Sequence, residues 1–464
     1  MRKLAMLSAM LFSTAGAGAQ QQVDQIQFEV KFSKPLAVLE FALRLRPRAQ
    51  TNQFKTLFTS SSFNNAKYSA LIARLDSLPL DYEYDFPEYP PGEKIGGSTL
   101  YTIRRNLVLS DNVDEFRQRT IGLIPLIDLN SLTGILKEFT PVYDKVVYDS
   151  VRTRFESQLK SIDSVITAKN MAQYFTQAAR FYRSAWDPPI PFLFVFYPLP
   201  NARGFTATAF GNVSMSALPT SYTDFIPVLT VMLHESSHIL LDEQSLAFKK
   251  QVDGWFKSNP SKYSRYAQGL VQESWATAVA NGYFQEKLSG QLSTRSWYNR
   301  TYNDLMAKAM YPYIKEYLDT GKPMDKALVD RQVETYETKF PQWIYEWDNL
   351  LAGRSVLSEE QADFDLIDRK YPYRHVNVYV HDFSNASFET LKRGSTKVVI
   401  VRGDNKRKLD LIKSHFPSLA SWNPDPAADF SYVHLTPDKF QLIVVNLVKT
   451  TLEQQLDSKL YDAR

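Results

Sequence analysis

The chain has 464 residues, 44% of them hydrophobic and 13% aromatic, with a formal net charge of +4 and no cysteine. Such apolar content builds packed cores and excludes a disordered chain, while a near-neutral balance over this length leaves no electrostatic footprint for nucleic acid or an anionic membrane. Without cysteine there is no disulfide framework, so stability must come from a large core.

At the N-terminus, Arg2 and Lys3 precede a short apolar run over residues 4–12, and Ala17-Gly18-Ala19 supplies small residues before Gln20. That is the pattern of a secretory signal peptide over residues 1–19, and it predicts an exported protein, periplasmic or secreted, in a bacterial setting. No cysteine follows the cleavage point to take a lipid anchor. No later stretch approaches the roughly 18 apolar residues of a membrane span.

Residues 20–185 read as a mostly helical region. "QIQFEVKF" (25–32) alternates like a strand, residues 36–45 like a helix, and the Pro- and Gly-punctuated "EYDFPEYPPGEKIGG" (83–97) like a long surface loop. Thr140-Pro141 marks a helix start. Val147, Val151, Phe155, Leu159, Ile162 and Ile166 then form one apolar stripe. A second helix is expected over 169–185, ending before "WDPPIP".

The next region, 186–352, begins with "FLFVFYP" (192–198), a buried strand, and "FTATAFGNVSMSA" (205–217), which alternates like a second one. The period then turns helical, with Asp224 to Pro227 as the helix start, and further helices follow to 350. Apolar density falls over "AGRSVLSEEQ" (352–361), which marks a boundary. Past it, strand-like runs at 375–383, 396–403, 430–435 and 440–447, with the helix "DNKRKLDLIKSHF" between the second and third, predict a small α/β domain over 353–464. It carries no glycine fingerprint for a nucleotide, and its Lys406-Arg407-Lys408 cluster reads as a solvated helix face. The fold class is therefore α+β and mostly helical.

The chemistry concentrates in "LHESSHILLDE" (233–243), which holds two of the six histidines. Four residues apart on a helix, His234 and His238 share a face and can reach one point, and two imidazoles suit Zn²⁺. Glu235 stands beside that point, where a general base for metal-assisted hydrolysis belongs. "VMLHESSHIL" is otherwise uncharged, as a helix under a cleft floor should be. Asp242 shares the face but lies about 6 Å farther along the axis, so it reads as a helix-end group or one that supports a ligand from outside. His375, His381, His415 and His434 fall in the C-terminal region and read as structural.

A catalytic zinc needs a third protein ligand. "LVQESWATAVANGYF" (270–284) sets Glu273 in an apolar helical context with Ala276, Ala278 and Ala280. A charge on a face built for close packing needs a partner, and a metal would be one; Glu243 competes for the same role. At this point the chain resembles the gluzincin class of zinc metallopeptidases, which join an HExxH helix to a glutamate on a later helix. The resemblance covers "HESSH" and "QESWATAVANG". It implies His234, His238 and Glu273 as zinc ligands, Glu235 as general base, a zincin-like core with strands preceding the two helices, and a peptide or protein substrate.

Two departures stand out. Thirty-four residues separate His238 from Glu273, more than in the thermolysin-like members, and Thr277 stands one turn after Glu273, where an acidic residue often holds a ligand histidine. The class also supplies a Tyr or His for the oxyanion. Tyr336 is the candidate here, with Tyr345 as the alternative. In the class the strand before the metal helix borders the substrate, which would set Gly211 and Asn212, mid-strand, against the peptide backbone; a bulge is the alternative. Two rival readings remain. One is an exported binding protein whose metal only stabilises the fold, against which speak Glu235 and the absence of cysteine, a frequent ligand of closed structural sites. The other makes residues 20–185 a removable propeptide.

Overall fold

A computed structural model describes residues 25–460 apart from 85, 91, 92, 95, 203, 375, 394 and 459, so the leader expected over 1–19 lies outside the described residues. About 55% of the chain is helix and 14% strand. Helices therefore dominate a mixed fold, as the periodicity predicts. No helix among the described residues is long and apolar enough to cross a membrane.

The first sheet contains β1 (Phe28–Lys31), β2 (Phe192–Leu199), β3 (Ala207–Phe210) and β4 (Val213–Pro219), in the order β1-β2-β4-β3. β1 and β4 both run parallel to β2, and β3 returns antiparallel along β4 as the free edge. β2 and β4 are buried almost throughout, as expected of parallel strands covered on both faces. β1 pairs Phe28 with Phe192, so the N-terminal region contributes a strand to the same sheet as residues 192–219.

The stretch read as one strand over 205–217 is a hairpin. Phe210 pairs with Val213 and leaves Gly211-Asn212 as a two-residue turn, with Gly211 at φ +57°. Glycine adopts that conformation without steric cost. Apolar and small residues alternate on both sides of the turn, which hides the reversal from a period-2 reading.

The helix α1 (Lys34–Leu45) is capped by Ser33, whose hydroxyl accepts from Leu36 N at 3.3 Å. Pro141 does not start a helix: it lies in the last turn of α2 (Leu126–Tyr143), which runs on into a π-helical turn at Asp144–Tyr148. Only the single backbone hydrogen bond that proline cannot donate is lost there, close to where the regular helix ends. The next helix, α3, begins at Arg152 and ends at Ala168. The apolar stripe survives the break, with Val147, Phe155, Ile162 and Ile166 buried on both sides of it. α4 (Met171–Phe181) is shorter than the expected 169–185.

α5 (Ile226–Asp242) carries the two histidines. It starts where Asp224 Oδ1 accepts from Ile226 N at 3.1 Å, with Pro227 in the first turn. Val228, Leu229, Met232, Leu233 and Leu240 bury its apolar faces completely. α6 (Val271–Thr277) holds Glu273 and continues through a π-helical stretch, Ala278–Phe284, into Gln285–Ser289. Thr230 Oγ1 of α5 lies 3.1 Å from Gln285 Oε1, a hydrogen bond that ties the two helices together. α7 (Thr301–Thr320) and α8 (Lys326–Lys339) follow.

The second sheet contains β5 (Gly353–Leu357), β6 (Val376–Val380), β7 (Thr396–Arg402), β8 (Phe430–Leu435) and β9 (Gln441–Leu447), in the order β8-β9-β7-β5-β6, with β8 alone antiparallel. The low-apolarity stretch read as a boundary contains β5, an inner strand that is buried throughout. Its polar residues are satisfied internally. Arg354 donates to the carbonyls of Leu351 and Tyr371 and pairs with Asp368, and Ser355 bonds Ser395 at 2.8 Å. Alternate residues of β7 face opposite ways: Val398 and Ile400 join the main core, which runs back to the first sheet, while Val399 and Val401 join a smaller one. Lys408, expected on a solvated face, is buried and bonds Glu359 at 2.6 Å.

Candidate metal centre

Helical spacing on α5 does what the sequence predicts. His234 Nε2 and His238 Nε2 stand 3.1 Å apart, with their rings nearly perpendicular at 84°. α6 packs against this face and brings Glu273 Oε2 to 3.3 Å from His234 Nε2 and 3.6 Å from His238 Nε2. Ligand atoms placed around one tetrahedral zinc at about 2.0–2.1 Å lie roughly 3.3–3.4 Å from one another, so the three separations match that donor set. Glu273 Oε2 is shut off from water and makes no hydrogen bond of proper geometry despite two imidazoles beside it. A cation would satisfy it. Among the described residues this is the one group of three such side chains placed to share an ion.

The local field agrees. Burial disfavours the Glu273 carboxylate, but the two imidazoles of His234 and His238 beside it outweigh burial and hold the group well below the usual carboxylate range. Burial likewise opposes the charged form of His238, yet Glu273, then Glu235 and Asp242, raise its pKa above 6.5. The Glu235 side chain is half-buried on the same helix and has no hydrogen bond or ion pair with another described residue. Asp242 pairs with Lys94 from the 83–97 loop. Glu243 caps the end of α5 and does not join the histidines. Thr277 Oγ1 and His234 Nδ1 are both buried without a partner, so Thr277 does not hold His234.

Tyr298 is the residue that sequence reasoning missed. Its ring centroid lies 5.6 Å from that of His234. Burial pushes its phenol far up, and the charge and hydrogen bonding of Glu273, with a contribution from Glu235, push it further. The loop that carries it is pinned to the first turn of α7, where Asp304 Oδ1 accepts from Trp297 N at 2.5 Å and Tyr298 N at 3.3 Å. Lys308 holds Asp304 at 2.9 Å. Behind the loop, Gly282 leaves room for Tyr311 and Trp297; a Cβ there would stand 2.5 Å and 2.9 Å from their rings.

Tyr336 is not part of this centre. It is fully buried, its hydroxyl accepts from Asn349 Nδ2 at 2.9 Å, and its ring packs on Tyr263 and Trp343. The inward face of α8 makes it a core aromatic. Tyr345 closes the short turn Pro341–Tyr345 and packs on the same core. Gly211 and Asn212 do not offer an extended edge either. Both side-chain groups of Asn212 are used, accepting from Arg105 at 3.2 Å and donating to Pro191 O at 2.9 Å. The edge on this side of the sheet belongs to β3 just before them.

Glu273 also lines a cavity of about 250 Å³, which Tyr298, Arg300 and Arg374 line with it and the two histidines do not. No family model, curated protein or solved structure matches this chain.

Proposed function

We propose that this chain is a zinc-dependent metallopeptidase of gluzincin type, with a zincin-like core in which β1–β4 precede the HExxH helix α5 and the glutamate helix α6. The observation that carries the reading is the convergence of His234, His238 and Glu273 at 3.1 to 3.6 Å, around a buried, unbonded carboxylate oxygen. Zinc held by these three side chains would supply the positive charge that acidifies water and polarises a carbonyl near neutral pH. Glu235, free of a competing partner among the described residues, takes the proton of the attacking water and delivers it to the departing amine. Tyr298 stays protonated at neutral pH and donates a hydrogen bond to the carbonyl oxygen as negative charge develops there. The free edge of β3 offers backbone groups for an extended peptide. Export by the N-terminal leader would place the activity in the periplasm or outside the cell.

The test is Glu235→Gln. Zinc content by emission spectroscopy and the melting temperature should stay near wild type, while hydrolysis of a casein-type substrate falls by roughly 10²–10⁴-fold. Undiminished hydrolysis would overturn the mechanism.

A further inference from the structure

We propose that Arg300 and Arg374 form a carboxylate-binding subsite beside the metal centre, taking either the free C-terminus of a peptide or an acidic side chain within it. The inference rests on the peptidase reading above and names the substrate chemistry of the same cleft.

The cavity has Glu273 and Tyr298 on one side and Gly353 and Thr396 of the second sheet on the other. Some of its charged lining is already matched. Arg265 pairs with Asp253 at 2.9 Å, and Glu93 accepts from Gln268 at 2.9 Å. Arg300 has no side-chain hydrogen bond or ion pair with another described residue. Arg374 reaches Asp348 through Nη2 alone, at 3.2 Å, and that aspartate is 52% exposed. Its Nε and Nη1 are closed to water and have no acceptor. The Tyr302 ring, 5.6 Å from the guanidinium carbon, eases the charge of Arg374 but accepts no in-plane hydrogen bond.

The two cations also feel each other. After burial, Arg300 is among the groups that lower the pKa of Arg374, and Tyr298 is among those that raise it. A buried guanidinium edge without acceptors, set beside a second cation, is an unfavourable arrangement on its own. A carboxylate in this cavity supplies two acceptor oxygens, one for the Arg300 guanidinium and one for Arg374 Nη2 in place of the exposed Asp348, and its charge offsets both cations. The anions that a peptide carries are carboxylates. Their entry here would set the scissile bond on the Glu273–Tyr298 side of the cleft.

The experiment uses N-acetylated tetrapeptides in matched pairs: free acid against C-terminal amide, and glutamate against glutamine at each internal position. Binding is measured by calorimetry on zinc-loaded Glu235→Gln protein, and kcat/KM on wild type. Carboxylate-bearing peptides should bind roughly tenfold or more tightly than their neutral partners. That ratio should fall toward one in both Arg374→Gln and Arg300→Gln, so a folding defect in the more buried variant leaves the other to decide. Preference for the free acid over the amide identifies the C-terminus as the ligand; preference for glutamate over glutamine identifies a side chain. Equal binding of all pairs overturns the subsite and leaves the peptidase reading standing if wild type still hydrolyses them. Carboxylate-selective binding without hydrolysis overturns the peptidase reading and leaves the subsite.

Discussion

Tyr298 brings a single hydroxyl to a cluster that already holds two imidazoles and a carboxylate, and its ring packs toward His234. Tyr298→Phe keeps the ring and removes the donor. If the hydroxyl stabilises charge developing on the substrate, kcat should fall by about 10²–10³-fold with KM and zinc content little changed. A loss of zinc instead would mean that the phenol serves to hold Glu273. The three proposed ligands were legible because each sits on a helix, where spacing fixes direction and a lone charge among alanines is conspicuous. Tyr298 was not, because it lies in the loop "RSWYNR", where no period says which way a side chain points. Tyr336 has helical spacing, but spacing alone does not distinguish a face turned to a cleft from one turned to the core.

The elements that hold the site depend on close approach. Gly282, in the π-helical stretch after Glu273, lets Tyr311 and Trp297 lie against the helix backbone, and Trp297 precedes Tyr298. A π-helical insertion shifts the register of every later side chain on its helix, which suits a segment that must serve Glu273 at one end and Tyr311 at the other. Gly282→Ala should push both rings outward, costing about 1–3 kcal/mol by overpacking. The melting temperature should drop, and kcat should drop with it as Tyr298 moves. An unchanged kcat in the folded variant would show that the loop is positioned by Asp304 alone. Many strands were legible in the sequence while several helices of the N-terminal region were not separately marked, and two elements stayed hidden for physical reasons that can be named. The 207–219 hairpin keeps its alternation across the Gly211 turn, and β5 is polar in sequence because Arg354 and Ser355 find their partners inside the core.

Across the molecule, acid stability should follow the buried pair network at Glu40. This α1 carboxylate is 1% exposed and bonds Arg104 Nε at 2.8 Å, with Arg44 beside it. Burial works to raise its pKa, but Arg104 and Arg44 outweigh that and hold it below 4.5. A folded pKa below the unfolded one means that the group's stabilisation is complete above about pH 4.5 and drains away as pH falls through the lower folded value. Urea midpoints should therefore be flat near neutral pH and decline in acid. Glu40→Gln should be less stable at neutral pH by on the order of 3–5 kcal/mol, because it leaves the arginines uncompensated, and its acid decline should be shallower. Parallel curves for the two proteins would rule Glu40 out as the source.

The pairing of β1 with β2 joins residues 28–31 to residues 192–195. No single strand discloses its partner, so this link was invisible in a sequence that otherwise divides neatly near residue 185. It also orders events during synthesis. Once made, β1 must wait for about 160 more residues before β2 can pair with it, so the sheet beneath α5 closes late and through a long loop. Proteolytic trimming of that first strand would strip one side of β2 and leave an apolar edge ready to recruit another chain. β1 thus acts as a selvage on the fabric: cut it, and the weave next to α5 begins to fray.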